Sequence, residues 1–276
     1  MEVSLTSQAT SIATDTYGHQ VAVSTIDGKI SFFSAQNLTL KSTIEIKEAT
    51  PNSLSFSSTQ FGSQLAVGLS NGNLLVYANK GANYQLNYTI QAHKASITSV
   101  AFHPTQNIIA TSSLDGTFAI HSFKENKWVS VTTEASKMGL TCLCWGSDSA
   151  NPNAIQTVFV GGVDGIVAVY LNSTVSDSWD LGSIAQVHNG WVRSIAAPTS
   201  VSGGAQKVAT IGDDNIAAVI RFTSNQLTVN YTDQLPAQSS GVSWAMVDKT
   251  LVVSQIDGKT TMWKEDQYGN LVLIQE

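Results

Sequence analysis

The sequence predicts an all-β fold, a six-bladed β-propeller forming a single domain over residues 1–276. Three observations carry that reading: a hairpin unit that recurs six times, the distance between its copies, and a composition poor in charge. Six fourteen-residue windows align without a gap: QVAVSTIDGKISFF from Gln20, QLAVGLSNGNLLVY from Gln64, IIATSSLDGTFAIH from Ile108, TVFVGGVDGIVAVY from Thr157, KVATIGDDNIAAVI from Lys207 and TLVVSQIDGKTTMW from Thr250. Each is an apolar run, then Asp or Asn followed by Gly (Asn215 in the fifth), then an alternating run ending in a bulky residue. Asp-Gly or Asn-Gly between two such runs signals a β-hairpin, because a type I′ turn needs positive φ at both central positions. Each window is therefore predicted to be a hairpin closed by a type I′ turn.

The turn residues are Asp27, Asn71, Asp115, Asp164, Asp214 and Asp257, separated by 44, 44, 49, 50 and 43 residues. A period of about 40–45 residues is that of a propeller blade of four antiparallel strands. A first strand is expected before each hairpin, at Ser11–Ala13, Ser53–Phe56, Ile97–Phe102, Leu140–Trp145, Trp191–Ala196 and Gly241–Ala245. A fourth follows, as in Leu38–Ile46, Tyr84–Ile90, Trp128–Thr132 and Leu271–Ile274. No segment sustains helical periodicity. The two longer periods trace to Gly146–Gln156 and Pro198–Gln206, polar insertions expected as surface loops of blades four and five.

Charged residues make up only 12% of the chain, against about 25% in ordinary soluble domains. Ser, Thr, Asn, Gln and Gly fill the gap, which suits strands and turns. A net charge of −6 with no basic run makes nucleic acid an unexpected partner. No apolar stretch approaches the ~20 residues that span a bilayer, and MEVSLTSQATSIATD lacks the basic and apolar regions of a secretory signal. The expectation is a cytoplasmic protein without direct membrane insertion. Cys142 and Cys144 would face one side of a strand two residues apart, a poor geometry for a disulfide, which fits a reducing compartment. The sequons at Asn37, Asn87, Asn172 and Asn230 then read as chance matches.

The five histidines, His19, His93, His103, His121 and His188, show no metal-ligand spacing, and the two cysteines have no histidine between them. The repeated aspartates look like a carboxylate cluster, but one per blade spreads them out, whereas a glycosidase needs two within about 5–9.5 Å. Gly161-Gly162 and Gly203-Gly204 have no following helix to cradle a phosphate. The sequence thus points to no catalytic residue, no metal and no cofactor: not an enzyme.

The windows resemble those of WD-repeat propellers. A histidine before the first strand survives as His93 and His188, the turn Asp stands in five blades, and the Trp closing the third strand remains only as Trp263. The corresponding slots elsewhere hold Phe33, Tyr77, His121, Tyr170 and Ile220. The resemblance implies a hydrogen-bonded tetrad inside a blade, for which His93, Thr111 or Ser113, and Asp115 supply most of the parts in blade three. These residues fasten blades.

A ring of blades has to seal its ends or leave strand edges open. The residues before Asp27 already hold two strands of blade one, and those after Asp257 hold the third and fourth of blade six. Every blade is self-sufficient, no strand is borrowed to lock the ring, and an open ring is expected. Only Glu2–Thr6 is spare, with Val3 and Leu5 on one face, either a short fifth strand or a frayed terminus. Such edges suit a partner that binds by strand addition.

More specifically, the chain resembles the Sec-thirteen family of six-bladed propellers. Asp15, Tyr17-Gly18, Ala22 and Asp27 fit its first blade, Phe61-Gly62 its second, and His93 with Ser96-Ile97-Thr98-Ser99-Val100 and Pro104 its third. Phe123-Lys124-Glu125-Asn126, HNGWVRSIAAPT from His188, and Trp263-Lys264-Glu265 with Gly269 follow in the same order. The resemblance implies a non-enzymatic scaffold of the COPII vesicle coat outer cage in ER-to-Golgi transport, peripheral on the ER and vesicle membrane, and of the nuclear pore. It implies a hetero-oligomer. The partner is a large solenoid outer-coat subunit, or a structural nucleoporin of the Y-shaped complex, that inserts a seventh blade between first and last. Contact candidates near the open edges are Val3, Leu5 and Ile12 in blade one and Val242, Trp244 and Leu251 in blade six, with blade-core packing the alternative for each. Two other readings stand beside this one: a Seh-one-like propeller of pore and nutrient-signalling complexes, and a closed WD-repeat peptide reader. Arg193 and Arg221 are the chain's only arginines, which stocks an anion-binding reader poorly.

Overall fold

The computed structural model describes residues 3–81, 83–147, 155–173, 176–198, 206–244, 250–266 and 271–275. They form twenty-four strands in six four-stranded antiparallel sheets, each pairing its strands in chain order. The fold is an all-β, six-bladed propeller, in two compact units of three blades, Met1–Glu134 and Ala135–Glu276.

In the first unit, blade one is β1 (Ala9–Thr14), β2 (Gln20–Thr25), β3 (Lys29–Ser34) and β4 (Leu40–Glu45). Blade two is β5 (Pro51–Phe56), β6 (Gln64–Leu69), β7 (Asn73–Lys80) and β8 (Asn83–Gln91), with a 3-10 turn at Thr59–Phe61. Blade three is β9 (Ile97–Phe102), β10 (Ile108–Ser113), β11 (Thr117–Lys124) and β12 (Lys127–Glu134). In the second unit, blade four is β13 (Leu140–Trp145), β14 (Thr157–Gly162), β15 (Ile166–Asn172) and β16 (Trp179–Gln186). Blade five is β17 (Val192–Ala196), β18 (Gln206–Gly212), β19 (Ile216–Thr223) and β20 (Gln226–Gln234). Blade six is β21 (Ser239–Trp244), β22 (Thr250–Gln255), β23 (Thr260–Glu265) and β24 (Leu271–Gln275).

The period of two in a strand gives each blade two faces. Within the first unit, Ala22, Ile30 and Phe32 of blade one share a core with Leu54, Leu65, Val67 and Tyr77 of blade two. Ala66, Leu74 and Val76 of blade two meet Val100, Phe102 and Ile109 of blade three. Within the second, Phe159, Val167 and Val169 of blade four pack on Ile195, Val208 and Ile220 of blade five. Ala209, Ala217 and Val219 of blade five pack on Leu251, Val253 and Trp263 of blade six. Window positions three, eleven and thirteen therefore face the next blade; positions two, four and fourteen face the previous one. Each large aliphatic or Phe side chain so buried contributes about 1.5–3 kcal/mol.

The hairpin turns differ from the expected type I′. The Asp or Asn at each turn keeps a negative φ; only the residue after it is positive, at 86° for Gly28, 86° for Gly72, 82° for Gly116, 79° for Gly165, 59° for Asn215 and 85° for Gly258. The loop is one residue longer than a type I′ hairpin: a type I turn, closed for example by Gly28 N–H to Thr25 O at 3.1 Å, with its last residue in the left-handed region. The carboxylate then has a structural task, accepting the backbone N–H two residues on, as Asp115 does from Thr117, Asp164 from Ile166, Asp214 from Ile216 and Asp257 from Lys259. Asn71 does the same for Asn73. Two-residue loops with positive φ at both positions do occur, at Glu125-Asn126 and Ser224-Asn225, between the third and fourth strands of blades three and five.

At Gly165 the backbone leaves no room: a Cβ there would lie 2.0 Å from His188 O, whereas at Gly258 it would meet nothing within 4 Å. Gly258→Ala is expected to cost about 1 kcal/mol, the left-handed penalty alone. Gly165→Ala adds a steric clash and is expected to cost about 3 kcal/mol or more. Equal losses in urea denaturation of the two variants would contradict this turn packing.

Val3–Leu5 adopts no regular structure, so the spare strand does not appear there; Glu2 lies outside the described residues. Residues 148–154 and 199–205, most of both expected loops, also lie outside them, as does Ala245.

Candidate partner-binding surface

The turn aspartates and histidines form fasteners within blades. In blade three, His93 Nε2 lies 2.7 Å from Thr111 Oγ1 and Nδ1 lies 2.9 Å from Thr117 Oγ1. Asp115 accepts from the Thr117 hydroxyl at 2.6 Å and from Lys94 N–H at 2.8 Å, with His93 Nδ1 3.5 Å away. Thr111 continues to His121 Nε2 at 3.0 Å, and His121 Nδ1 reaches Ser130 Oγ at 2.7 Å. His121 occupies the slot of the family's tryptophan and extends the chain of hydrogen bonds outward to β12. Thr111, not Ser113, is the hydroxyl partner; Ser113 donates to Ala95 O instead. Blade five holds a second set that the sequence reading missed: His188 Nδ1 lies 3.0 Å from Asp214 and Nε2 2.9 Å from Thr210 Oγ1. The spacing His–Thr–Asp at matched window positions was the signal available; Ile220 in the tryptophan slot hid it.

Burial pushes the histidines toward the neutral form. It lowers His121 to about 3, and lowers His93 and His188 despite the opposing pull of Asp115 and Asp214. Burial raises Asp115, but hydrogen bonds from Thr117 and Lys94 and the nearby His93 outweigh it and leave the carboxyl lowered. Burial also pushes the Cys142 thiol up to about 12, away from reactivity. Among the described residues, no three His, Cys, Asp or Glu side chains converge to hold a metal ion. These networks are built for rigidity.

The interface candidates separate cleanly. In blade one, Ile12 is 68% exposed, and Val3 and Leu5 are 40% and 38% exposed. Ile12 pairs with Val23 as Leu54 pairs with Val67, Val100 with Thr111, Leu143 with Val160 and Ile195 with Thr210. Those four equivalents are buried, so Ile12 stands uncovered where the others pack. In blade six the expected residues lie on the face that packs against blade five. Leu251 is fully buried in the core shared with blade five, and Val242 and Trp244 pack against the same core. Trp244 Nε1 donates to Ala196 O at 3.1 Å, and Lys207 Nζ sits 4.6 Å from its ring centre while pairing with Glu265 at 2.6 Å. The strand alternation that placed these three inward turns their neighbours outward.

Those neighbours are Val252, Ser254, Thr260 and Met262. At window position three, Ala22, Ala66, Ala110, Phe159 and Ala209 are all fully buried, and Val252 is only half-buried. At positions eleven and thirteen, Ile30, Leu74, Phe118 and Val167, and Phe32, Val76 and Val169, are fully buried, while Thr260 is exposed and Met262 half-buried. The second strands of blades two to five are buried on both faces almost throughout; β22 alternates, with Thr250, Val252 and Ser254 half-buried. On one face of blade six, therefore, positions that are buried in the other blades are half-buried or exposed.

Comparison with known proteins agrees with this architecture. The family profile WD40 (WD domain, G-beta repeat) matches residues 84–122, which run from β8 to β11. The Aspergillus fumigatus protein transport protein sec13 is 23% identical over 92% of this chain and 91% of its own length. The Aspergillus oryzae sec13 protein is 25% identical over 92% and 95%. The Drosophila melanogaster SEC13 homolog is 22% identical over 95% and 79%.

Over nearly its whole length the chain is similar to these Sec13 proteins.

At the level of fold alone it is similar to the solved structure of U3-55K, with a TM-score of 0.79 at 14% identity over 99% of this chain and 82% of the other. The RRP9 WD40 repeats match with the same score and identity, over 99% and 81%. Ile12 of blade one and Val252, Thr260 and Met262 of blade six are the positions where these strands are more exposed than their equivalents in the other blades.

Proposed function

We propose that this chain is a member of the Sec13 family and a non-enzymatic scaffold propeller of protein transport, a subunit of the COPII outer cage. Its partner is a solenoid subunit that supplies a seventh blade, and the pair works at the cytoplasmic face of the ER and its vesicles. Among the described residues, no helix is long and apolar enough to cross a membrane. The observation that carries the reading is one face of blade six, where Val252 and Met262 are half-buried and Thr260 is exposed at positions that are buried in the other blades. A strand-rich insert that packs there supplies the burial that every other forward face of known exposure has, and β-strand addition supplies backbone hydrogen bonds. Uncovered Ile12 of blade one offers a second surface of the same kind.

The test is affinity purification of the tagged chain from its own cells in high salt, with partners identified by mass spectrometry. A single stoichiometric solenoid subunit is the expected result, and its identity separates coat from nuclear pore. Recovery of only weak, varied partners would count against the reading and favour a closed peptide reader.

A further inference from the structure

Each blade ends in an outer strand whose far side pairs with no described strand. Such edges invite pairing with another chain, and polar or charged side chains blunt them. The pairing register makes these strands comparable. In five blades a bulge lies beside an apolar residue that faces the last window residue: Leu40 opposite Phe33, Leu86 opposite Tyr77, Leu181 opposite Tyr170, Val229 opposite Ile220 and Leu273 opposite Trp263. In four of them the residues on either side are polar or small: Thr39 and Lys41, Gln85 and Asn87, Asp180 and Gly182, Thr228 and Asn230. In blade six they are Val272 and Ile274. These two are 51% and 53% exposed, and Leu273 between them is 39% exposed. Blade three has no bulge there and sets Val129 beside Ser130. Among the described residues, only β24 thus presents three consecutive apolar residues along an open edge, with no charge from Leu271 to Gln275.

We propose that the outer edge of blade six is a second docking site, where an extended apolar segment of the partner adds a fifth strand to the sheet through β24. The edge is five residues long, about 17 Å. That is far short of the ~800 Å² per partner that a stable complex buries, so two copies of this chain pairing edge to edge would not hold together. The occupant has to be anchored elsewhere, and the anchor is at hand. Met262 and Thr260 of the uncovered face lie on β23, the strand to which β24 is paired. A partner seated on that face needs only a short extended stretch to reach β24. The site is argued from β24 itself; only the identity of its donor rests on the partner-blade reading.

Hydrogen exchange on the full chain, alone and in the complex purified through it, tests the site. The expected result is at least tenfold slower exchange of β24 amides in the complex, alongside protection of β22 and β23. The double variant Val272→Lys with Ile274→Lys is expected to speed dissociation at least tenfold with an unchanged melting temperature, since both side chains are half exposed. Protection of β22 and β23 without β24 would overturn the edge site and leave the seventh blade standing. Protection of none of the three would overturn both. Protection of β24 in the isolated chain that grows with concentration would identify a second copy as occupant and overturn the partner strand.

Discussion

Met262→Asp is expected to abolish recovery of the partner while the isolated chain melts at its usual temperature, and Val242→Asp to do the reverse. Met262 lies on the uncovered face of blade six, where a carboxylate is solvated until a partner buries it. Burying it unpaired costs about 3 kcal/mol or more, which weakens affinity over 100-fold. Val242, half-buried, instead packs on the core that Leu251, Val253 and Trp263 share with blade five, so folding sets a charge there against apolar neighbours. A loss of about 3 kcal/mol in stability follows. Pull-down of the tagged variants beside their thermal melts reads both. If Met262→Asp unfolds the chain and Val242→Asp merely loses partner, the two faces have been assigned the wrong way round.

Acid is expected to destabilise the protein steeply from pH 7 to pH 5. His93, His121 and His188 are held neutral by burial, so their folded-state affinities for protons are lowered, His121 to about 3. The unfolded chain takes up protons near the ordinary value of about 6.5. Between those values the unfolded state binds more protons, and stability falls as pH falls. Stability is therefore full above about pH 7. Each fully shifted histidine then removes up to ~1.4 kcal/mol per pH unit, so His121 alone removes about 2 kcal/mol by pH 5. Asp115, lowered as well, adds loss in the same direction but only below its ordinary range near pH 4. Urea denaturation at pH 7, 6 and 5 measures the slope. His121→Tyr, carrying the residue that fills the same slot in blades two and four, is expected to recover about 2 kcal/mol of the loss at pH 5. An unchanged slope in that variant would remove His121 from the account.

The hairpin windows were legible because their signal is local. An apolar run, a turn residue and a second run within fourteen residues fix a hairpin wherever it packs, and all six lie where the sequence put them. The turn type was not legible, because Asp-Gly serves both a two-residue and a three-residue loop, and only the φ of Asp27 or Asp115 tells them apart. The fourth strands of blades four and five, Trp179–Gln186 and Gln226–Gln234, were weak in the sequence because outer strands bury little and carry mixed side chains. Which face of blade six packs on blade five was not legible for a sharper reason. Val242, Trp244 and Leu251 are as apolar as Val252 and Met262, and apolarity does not say which of two faces a strand turns to its neighbour. A one-residue shift changes that answer, and only the blade-five contacts of Trp244 and Leu251 decide it.

The alternating burial of β22 also bears on how the molecule breathes. Proteins open locally in cooperative pieces, and the piece with the fewest buried apolar contacts opens first. Blades two to five hold their second strand from both sides, whereas β22 is held from one. Blade six is accordingly the least tethered part of the second unit, fraying at a free energy below that of global unfolding. A partner that closed that face would do more than attach a neighbour: it would raise the opening cost of this sheet toward that of the rest.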